Sequence, residues 1–454
     1  MSGHDVSNLG RSVTTGSLSL PLPCERSERT REGNGERVGD WTRGVRLKRV
    51  LLAVLCLHLC VALLSWRGLI RDDAESYVVI GRNLAQGNGF VFEAGRTPTA
   101  WRAPGYPVFL ATVFRLTGGS LIAARVIQAF LWTLTAWLTY ALGRRFLRDE
   151  TALIAAGLAG LYPELLGMSG LLWSESVFVP LFLGAIYALF CNADRPKIPL
   201  SLLTGVLIGL AILTRSTALI LIPAVWFAAL TRGKTGSAYG NAALAAVLAV
   251  GIMGCWTARN LAVLGRPILV ESNTGFNLYV GNRPDTPVPF AWRRAEKLPT
   301  DPLYQSLIAN KNEAEQYTTL TQFSIAEMKS HPFHTLKLAL GKTFDFWLPD
   351  FFIALNAKAG AFGTQYAKVW PLVALITISA YFVMIIAAIK QGWQTRRRWE
   401  TQAIILIIAL YTLPHLLVYG ASRYHLPLLP LLFLLAAPQF QAQFERKIPG
   451  TATA

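Results

Sequence analysis

Hydrophobic residues along this chain fall in long blocks separated by short polar turns. The blocks are Val50–Trp66, Ser120–Phe146, Ala152–Met168, Glu175–Phe190, Leu200–Leu213, Thr217–Leu230, Ala242–Leu264, Gln365–Ile389, Gln402–Tyr419 and Leu426–Phe440. A run of about 20 apolar residues has the length of a helix that crosses a bilayer. Within lipid every backbone N–H and C=O needs a partner inside the protein, which a helix supplies by itself. The pattern predicts an all-α integral membrane protein, a polytopic helical bundle of about ten spans. Pro107–Leu116 is apolar but short, and reads as a juxtamembrane helix lying in or dipping into the outer leaflet.

The polar turns are of two kinds. Basic clusters occur at Arg43–Arg49, Arg144–Arg148, Arg195 with Lys197, Arg232 with Lys234, and Arg396–Arg398, at every alternate turn. Basic loops stay in the cytoplasm, so these turns and both termini are assigned to that side. The other turns then face outward: 71–107, the short turns at Glu164–Glu175 and Arg215, the large 265–365 segment, and Ser422–His425. Residues 1–47 hold few large apolar side chains, too few to offset the entropy of ordering, and are read as a disordered cytoplasmic tail. They are too long for the charged region of a cleaved signal peptide. The membrane body is expected over 48–440, with a small α-rich outer segment in 265–365 and a cytoplasmic tail at 441–454.

Composition supports the same class. Of 454 residues 53% are hydrophobic and 15% charged, against roughly 25% charged in soluble domains. The mean hydropathy is +0.39. The net charge of +17 lies largely in the tail and short loops, which makes it a topology signal. No basic domain with interleaved aromatics stands outside the spans, so nucleic acid is not expected as a partner. The five cysteines, Cys24, Cys56, Cys60, Cys191 and Cys255, form no CxxC pair. The six histidines show no HExxH spacing. A metal held by Cys or His is not expected.

Candidate chemistry concentrates in the turns assigned outward. Asp72, Asp73 and Glu75 follow the first span. One reading is helix capping, with Asp72 or Asp73 at the start of a helix to Leu84 and Glu75 favoured by its dipole. The other is a general base, a carboxylate within hydrogen-bond reach of an acceptor proton. Asp73 and Tyr77 share a helix face, which sets the acid beside an aromatic able to pack on a sugar ring. Arg102 opens the Arg102–Pro107 run containing Tyr106. It either snorkels to head groups or grips the acidic cluster or a phosphate. Glu175 and Arg215 sit at span ends, where ionisable groups mark function or form a structural ion pair. Glu164 reads as part of a solvated turn. Arg259 with Asn260, and Arg423 with Tyr424 and His425, are interfacial anchors or cations that neutralise a leaving phosphate. His415 reads as a packing histidine. Ser272–Asn282 is rich in turn formers and signals a tight loop.

Several of these runs, in this order, resemble the GT-C membrane glycosyltransferases. They are Asp73–Tyr77, Arg82–Phe90, Arg102–Pro107, Trp173-Ser174-Glu175, Leu213-Thr214-Arg215, Ala258-Arg259-Asn260 with Leu264-Gly265-Arg266, Asn277–Asn282 and Ser422–Pro427. The nearest group is similar to the bacterial relatives of protein O-mannosyltransferases, including the rhizobial lipopolysaccharide core transferases and the aminoarabinose transferase of lipid A. The resemblance covers about residues 48 to 440. It implies a GT-C-like bundle, a polyprenyl-phosphate sugar donor, an outer-face acceptor (lipid, polysaccharide or protein) and inversion at the anomeric carbon. It also implies a catalytic Asp in the first outer loop, which matches Asp73, with Asp72 in reserve. The aminoarabinose transferases carry an acidic-Lys-Pro triplet where this chain has Arg102-Ala103-Pro104. Without that lysine, phosphate contacts are expected from Arg102, Arg215, Arg259 or Arg423, and aminoarabinose is disfavoured as the sugar.

The expectation is a multi-pass inner-membrane hexosyltransferase of the cell envelope, with its site on the outer face. Asp73 is its base, and Glu75, Tyr77, Arg102, Tyr106, Glu175, Arg215, Arg259, Asn260, Arg423 and Tyr424 bind substrate. Any divalent-metal requirement is left open. The rivals are a carrier or flippase of lipid-linked sugar, which would show repeats and mid-membrane charges, and an inactive relative acting as a scaffold.

Overall fold

A computed structural model describes residues 35–287 and 297–447. Among them every regular element is helical.

The first helix, α1, spans Gly35–Leu64 and begins inside the stretch read as a disordered tail. Residues 35–47 therefore join the helix of the first span; Arg, Glu and Lys are good helix formers once a span has nucleated the coil. The rest of the tail, 1–34, and residues 448–454 lie outside the described residues.

After α1 come α2 (Asp73–Ala85) and α3 (Gly105–Thr117), packed against each other. The α3 helix is the short apolar piece, ended by Gly118 at φ 66°. The spans resume with α4 (Leu121–Gly143), capped by Ser120 Oγ, which accepts from the Ala123 N–H. Next, α5 (Asp149–Leu161) and α6 (Pro163–Gly167) form one apolar stretch bent by 48°. Pro163 cannot continue the upstream helix, and the residue before a proline is driven out of the α region. The central helix is α7 (Glu175–Asp194), buried on nearly every side. It packs on α4 and on α8 (Ile198–Thr214). The next span, Ser216–Gly233, is built from a 3₁₀ turn, α9 (Leu221–Ala228) and a π turn. A long α10 (Gly236–Leu264) then returns along α8.

The large polar segment is α-rich, as expected. It holds α11 (Asn273–Asn282), α12 (Pro302–Ile308), α13 (Glu313–Ser330), α14 (Pro332–Phe346) and α15 (Phe352–Lys358). The α11 helix corrects the tight-loop reading of Ser272–Asn282. Its Tyr279 and Val280 bury against Leu320 of α13 and Leu298, and that packing overrides poor local propensity. The chain ends with α16 (Trp370–Gln394), α17 (Trp399–Leu417), a 3₁₀ turn over Ser422–Leu428, and α18 (Leu429–Lys447).

Among the described residues eight helices are long and apolar enough to cross a membrane, and the bent α5–α6 pair makes a ninth. The tenth expected span is the shorter α8. Their outward faces are apolar, as at Val247, Leu375 and Ile386, the arrangement of a protein whose solvent is lipid.

The basic turns gather at one end. Arg145 and Arg232, from loops far apart in sequence, both pair with Asp194, the latter at 3.2 Å. Arg232 also stacks over Trp399 at 5.3 Å. Arg144 pairs with Asp149 at 3.4 Å. The turns assigned outward meet one another instead. Glu313 accepts from the Thr99 hydroxyl (2.6 Å), the Ala100 N–H (2.8 Å) and the Ser272 hydroxyl (2.6 Å), tying the 71–107 loop to the 265–365 segment.

Candidate active site

Asp73 is the first residue of α2, and its neighbour Asp72 has an unusual backbone (φ 56°). Neither acid caps the helix with its side chain: Asp72 makes no cap hydrogen bond and is exposed, as is Glu75. Side-chain capping is thus not what these residues do, although Asp73 and Glu75 stand in the first turn of α2 where its dipole favours acids. Asp73 instead turns inward between two arginines. Arg102 Nη2 donates to Oδ1 at 2.5 Å, and Arg423 Nη2 donates to Oδ2 at 2.9 Å. The Arg102 Nε donates to Ser76 Oγ at 2.8 Å, which fixes the guanidinium against the first turn of α2. Burial pushes the Asp73 carboxyl up, but the two guanidiniums outweigh it and hold it well below the usual carboxylate range.

These three residues line a cavity of about 320 Å³. Its other walls include Tyr77, Arg215, Glu271, Asn273, Asn277 and Tyr424. Tyr77 lies under the Arg102 guanidinium, 5.1 Å from its ring centre, and burial pushes its phenol up to about 12. Arg423 stacks on Trp173 at 4.5 Å and on Tyr424 at 4.9 Å. The aromatic faces hold each cation in place while its N–H groups donate to Asp73 on the cavity wall.

Arg215 reaches the cavity from the end of α8. Its Nη1 donates to Glu175 Oε1 at 2.5 Å, and Glu175 is buried at the start of α7. Glu175 does not itself line the cavity, so the ion-pair reading is the one seen. His415 is a packing histidine in that it stacks on Tyr424 at 4.8 Å, yet it also borders the cavity. Its Nε2 has no hydrogen-bond partner among the described residues.

Other expected residues lie elsewhere. Tyr106 is fully buried beneath Tyr77 and donates to Gln128 at 2.5 Å. Arg259 donates to the Thr99 carbonyl at 2.7 Å and packs over Trp256. Asn260 donates to the Ile268 carbonyl at 2.8 Å. Like Asp72 and Glu75, these three are not among the cavity's lining residues. Interior partners near each backbone satisfied them first.

Two features were missed. Glu271 lines the cavity from the residues just before α11; nothing marks it in sequence beyond its place in the polar segment. The second is a sealed cluster behind Arg423. Glu164 is fully buried, not solvated, and accepts from the Ile353 N–H at 2.9 Å. Asp350 accepts from Tyr162 at 2.5 Å and lies 2.6 Å from His425 Nε2. His425 Nδ1 faces the Phe346 carbonyl at 2.5 Å. A carbonyl only accepts, so Nδ1 carries a proton. The result pins the turn that carries Arg423.

In sequence, residues 101–256 match the dolichyl-phosphate-mannose-protein mannosyltransferase family. That stretch holds Arg102, Glu175 and Arg215, while Asp73 and Arg423 fall outside it. Among the curated proteins none matches this chain. Among solved structures, the Archaeoglobus fulgidus oligosaccharyltransferase in its apo form is similar with a TM-score of 0.50 at 14% identity, over 90% of this chain and 53% of that one. The chain thus spans about half the length of that enzyme. The same enzyme, AglB, with an inhibitory peptide and dolichol-phosphate gives 0.47 at 14% identity, over 89% and 52%. ArnT from Cupriavidus metallidurans bound to undecaprenyl phosphate gives 0.40 at 14% identity, over 88% and 80%.

Proposed function

We propose, from the premise that this multi-pass helical chain has the GT-C fold of membrane glycosyltransferases, that it moves a sugar from a polyprenyl-phosphate donor to an acceptor hydroxyl with Asp73 as general base. The observation that carries the reading is one carboxylate gripped by Arg102 and Arg423 on the wall of a cavity that Arg215 also enters. The family matched over 101–256 is described by a lipid-phosphate sugar donor, which fits a cationic wall.

In the resting site Asp73 is charged but a weak base, because two guanidiniums stabilise its charge. A donor phosphate competes for those same N–H groups, and arginine grips phosphate bidentately. As Arg102 and Arg423 turn toward phosphate, Asp73 loses charge stabilisation and its basicity rises. The acceptor oxygen then bonds to the anomeric carbon as the carbon–phosphate oxygen bond breaks on the opposite side, inverting that centre. The acceptor proton passes to Asp73 and the electron pair leaves with polyprenyl phosphate, whose charge the arginines balance. The acceptor is a lipid, polysaccharide or protein. The end of the bundle bearing the basic turns lies in the cytoplasm with both termini, and the site faces outward from the inner membrane.

Membranes carrying Asp73→Asn, supplied with radiolabelled polyprenyl-phosphate sugars, test the reading. Loss of transfer by about 1,000-fold is expected; transfer at the wild-type rate rejects the base assignment. The buried Glu164–Asp350–His425 cluster favours a second reading, a carrier of lipid-linked sugar. Movement of labelled donor across vesicles without any transfer would select it.

A further inference from the structure

Glu271 differs from every other carboxylate around the cavity. Asp73 is locked by two arginines, and Glu175 is paired with Arg215 behind the wall. Glu271 lines the cavity and makes no ion pair within 4 Å among the described residues. It is held instead by two neutral donors from different elements. Ser216 Oγ donates to Oε1 at 2.9 Å, and the Ala103 N–H donates to Oε2 at 3.2 Å. Those bonds fix the carboxyl plane and leave each oxygen one further lone-pair direction. Asn273 and Asn277, one helical turn apart on α11, line the same wall.

A carboxyl group oriented by neutral donors, beside two amides, suits neutral hydroxyls better than it suits a phosphate, which it would repel. The cations that suit phosphate, Arg102, Arg215 and Arg423, line the same cavity, the first two next in sequence to the donors that hold Glu271. The cavity therefore offers both cations for a phosphate and a carboxyl–amide group for hydroxyls. Resting on the function proposed above, we infer that Glu271 binds hydroxyls of the transferred sugar and sets which sugar the enzyme accepts. Burial also pushes the Glu271 carboxyl above its ordinary range, although Ser216 and the nearby Arg215 and Arg102 oppose this. A carboxyl so placed can accept from a hydroxyl or donate to one.

The test is binding of two synthetic lipids to the full-length protein in nanodiscs: undecaprenyl phosphate carrying a neutral hexose, and undecaprenyl phosphate alone. Glu271→Gln is expected to weaken the sugar-bearing lipid about tenfold, the worth of one hydrogen bond to a charged group, while the bare lipid changes less than about twofold. Glu271→Asp, which withdraws the carboxyl by one methylene, should give the same pattern. Equal weakening of both lipids would mean a structural role and would overturn the inference, as would no weakening of either. If wild-type protein binds neither lipid, the proposed function itself fails and this assignment with it. Bare-lipid binding that survives while sugar discrimination does not respond to Glu271 sinks only the assignment.

Discussion

Two groups of ionisable residues meet on the turn at 422–428, and they differ in what surrounds them. Ahead of it, Asp73, Arg102 and Arg423 border open space, with side chains 22%, 12% and 20% exposed. Behind it, Tyr162, Glu164, Asp350 and His425 are buried, and among the described residues their hydrogen bonds run to one another and to backbone groups. The first set can exchange a partner for a ligand. The second cannot, since any lost partner leaves a buried polar group unpaired. Similar residue types thus stand in opposite surroundings, and under the proposed function one set reacts while the other holds.

Substitutions separate the two. Asp73→Asn should lower transfer about 1,000-fold while leaving the thermal midpoint in detergent within a few degrees, read by scanning fluorimetry. Arg423→Ala should follow, with about a 100-fold loss of kcat, because it removes one cation from the leaving phosphate. Arg423→Lys should recover only part of this, since an ammonium lacks the fork. Behind the turn the order reverses. Asp350→Ala strips His425 and Tyr162 of their shared partner and should cost about 3–5 kcal/mol, visible as early unfolding at a pH where Asp73→Asn is stable. If Asp350→Ala unfolds no earlier than wild type, the holding role is wrong. Glu164→Gln should be mild, within about 1 kcal/mol, because Oε1 has no partner to lose among the described residues.

The smallest effect concerns pH. The Glu271 carboxyl is raised, so its contribution to stability is present at acid pH and is lost as pH rises through its folded pKa. Wild type should lose about 2 °C of thermal midpoint across that rise, and Glu271→Gln should not. An equal fall in both would assign the loss to another group.

The apolar blocks marked nearly all of the membrane architecture in advance, because span length and basic turns follow directly from the bilayer. The bend at Pro163 and the shortness of α8 account for the difference between ten expected spans and the eight or nine that length and composition support. Asp73, Tyr77, Arg102, Arg215, Arg423 and Tyr424 were each legible, and the fold brings them to one cavity. Arg259, Asn260 and Tyr106 could not be sorted from them, since each is an equally plausible polar residue at a span end. What decides between cavity and packing is which partner lies near in space, and the Thr99, Ile268 and Gln128 contacts are invisible in a linear string. Glu271 and the Asp350–His425 pair were missed for the same reason. α11 was missed because tertiary burial of Tyr279 and Val280 prevailed over its turn-forming composition.

The two sides of the Asp73–Arg423 pair stand 350 residues apart in the chain. During synthesis the acid emerges with the first span and its late cation only with the last. A growing or truncated polypeptide consequently holds Asp73 with Arg102 alone, and the second cation joins only after the final hairpin has been threaded into the bilayer.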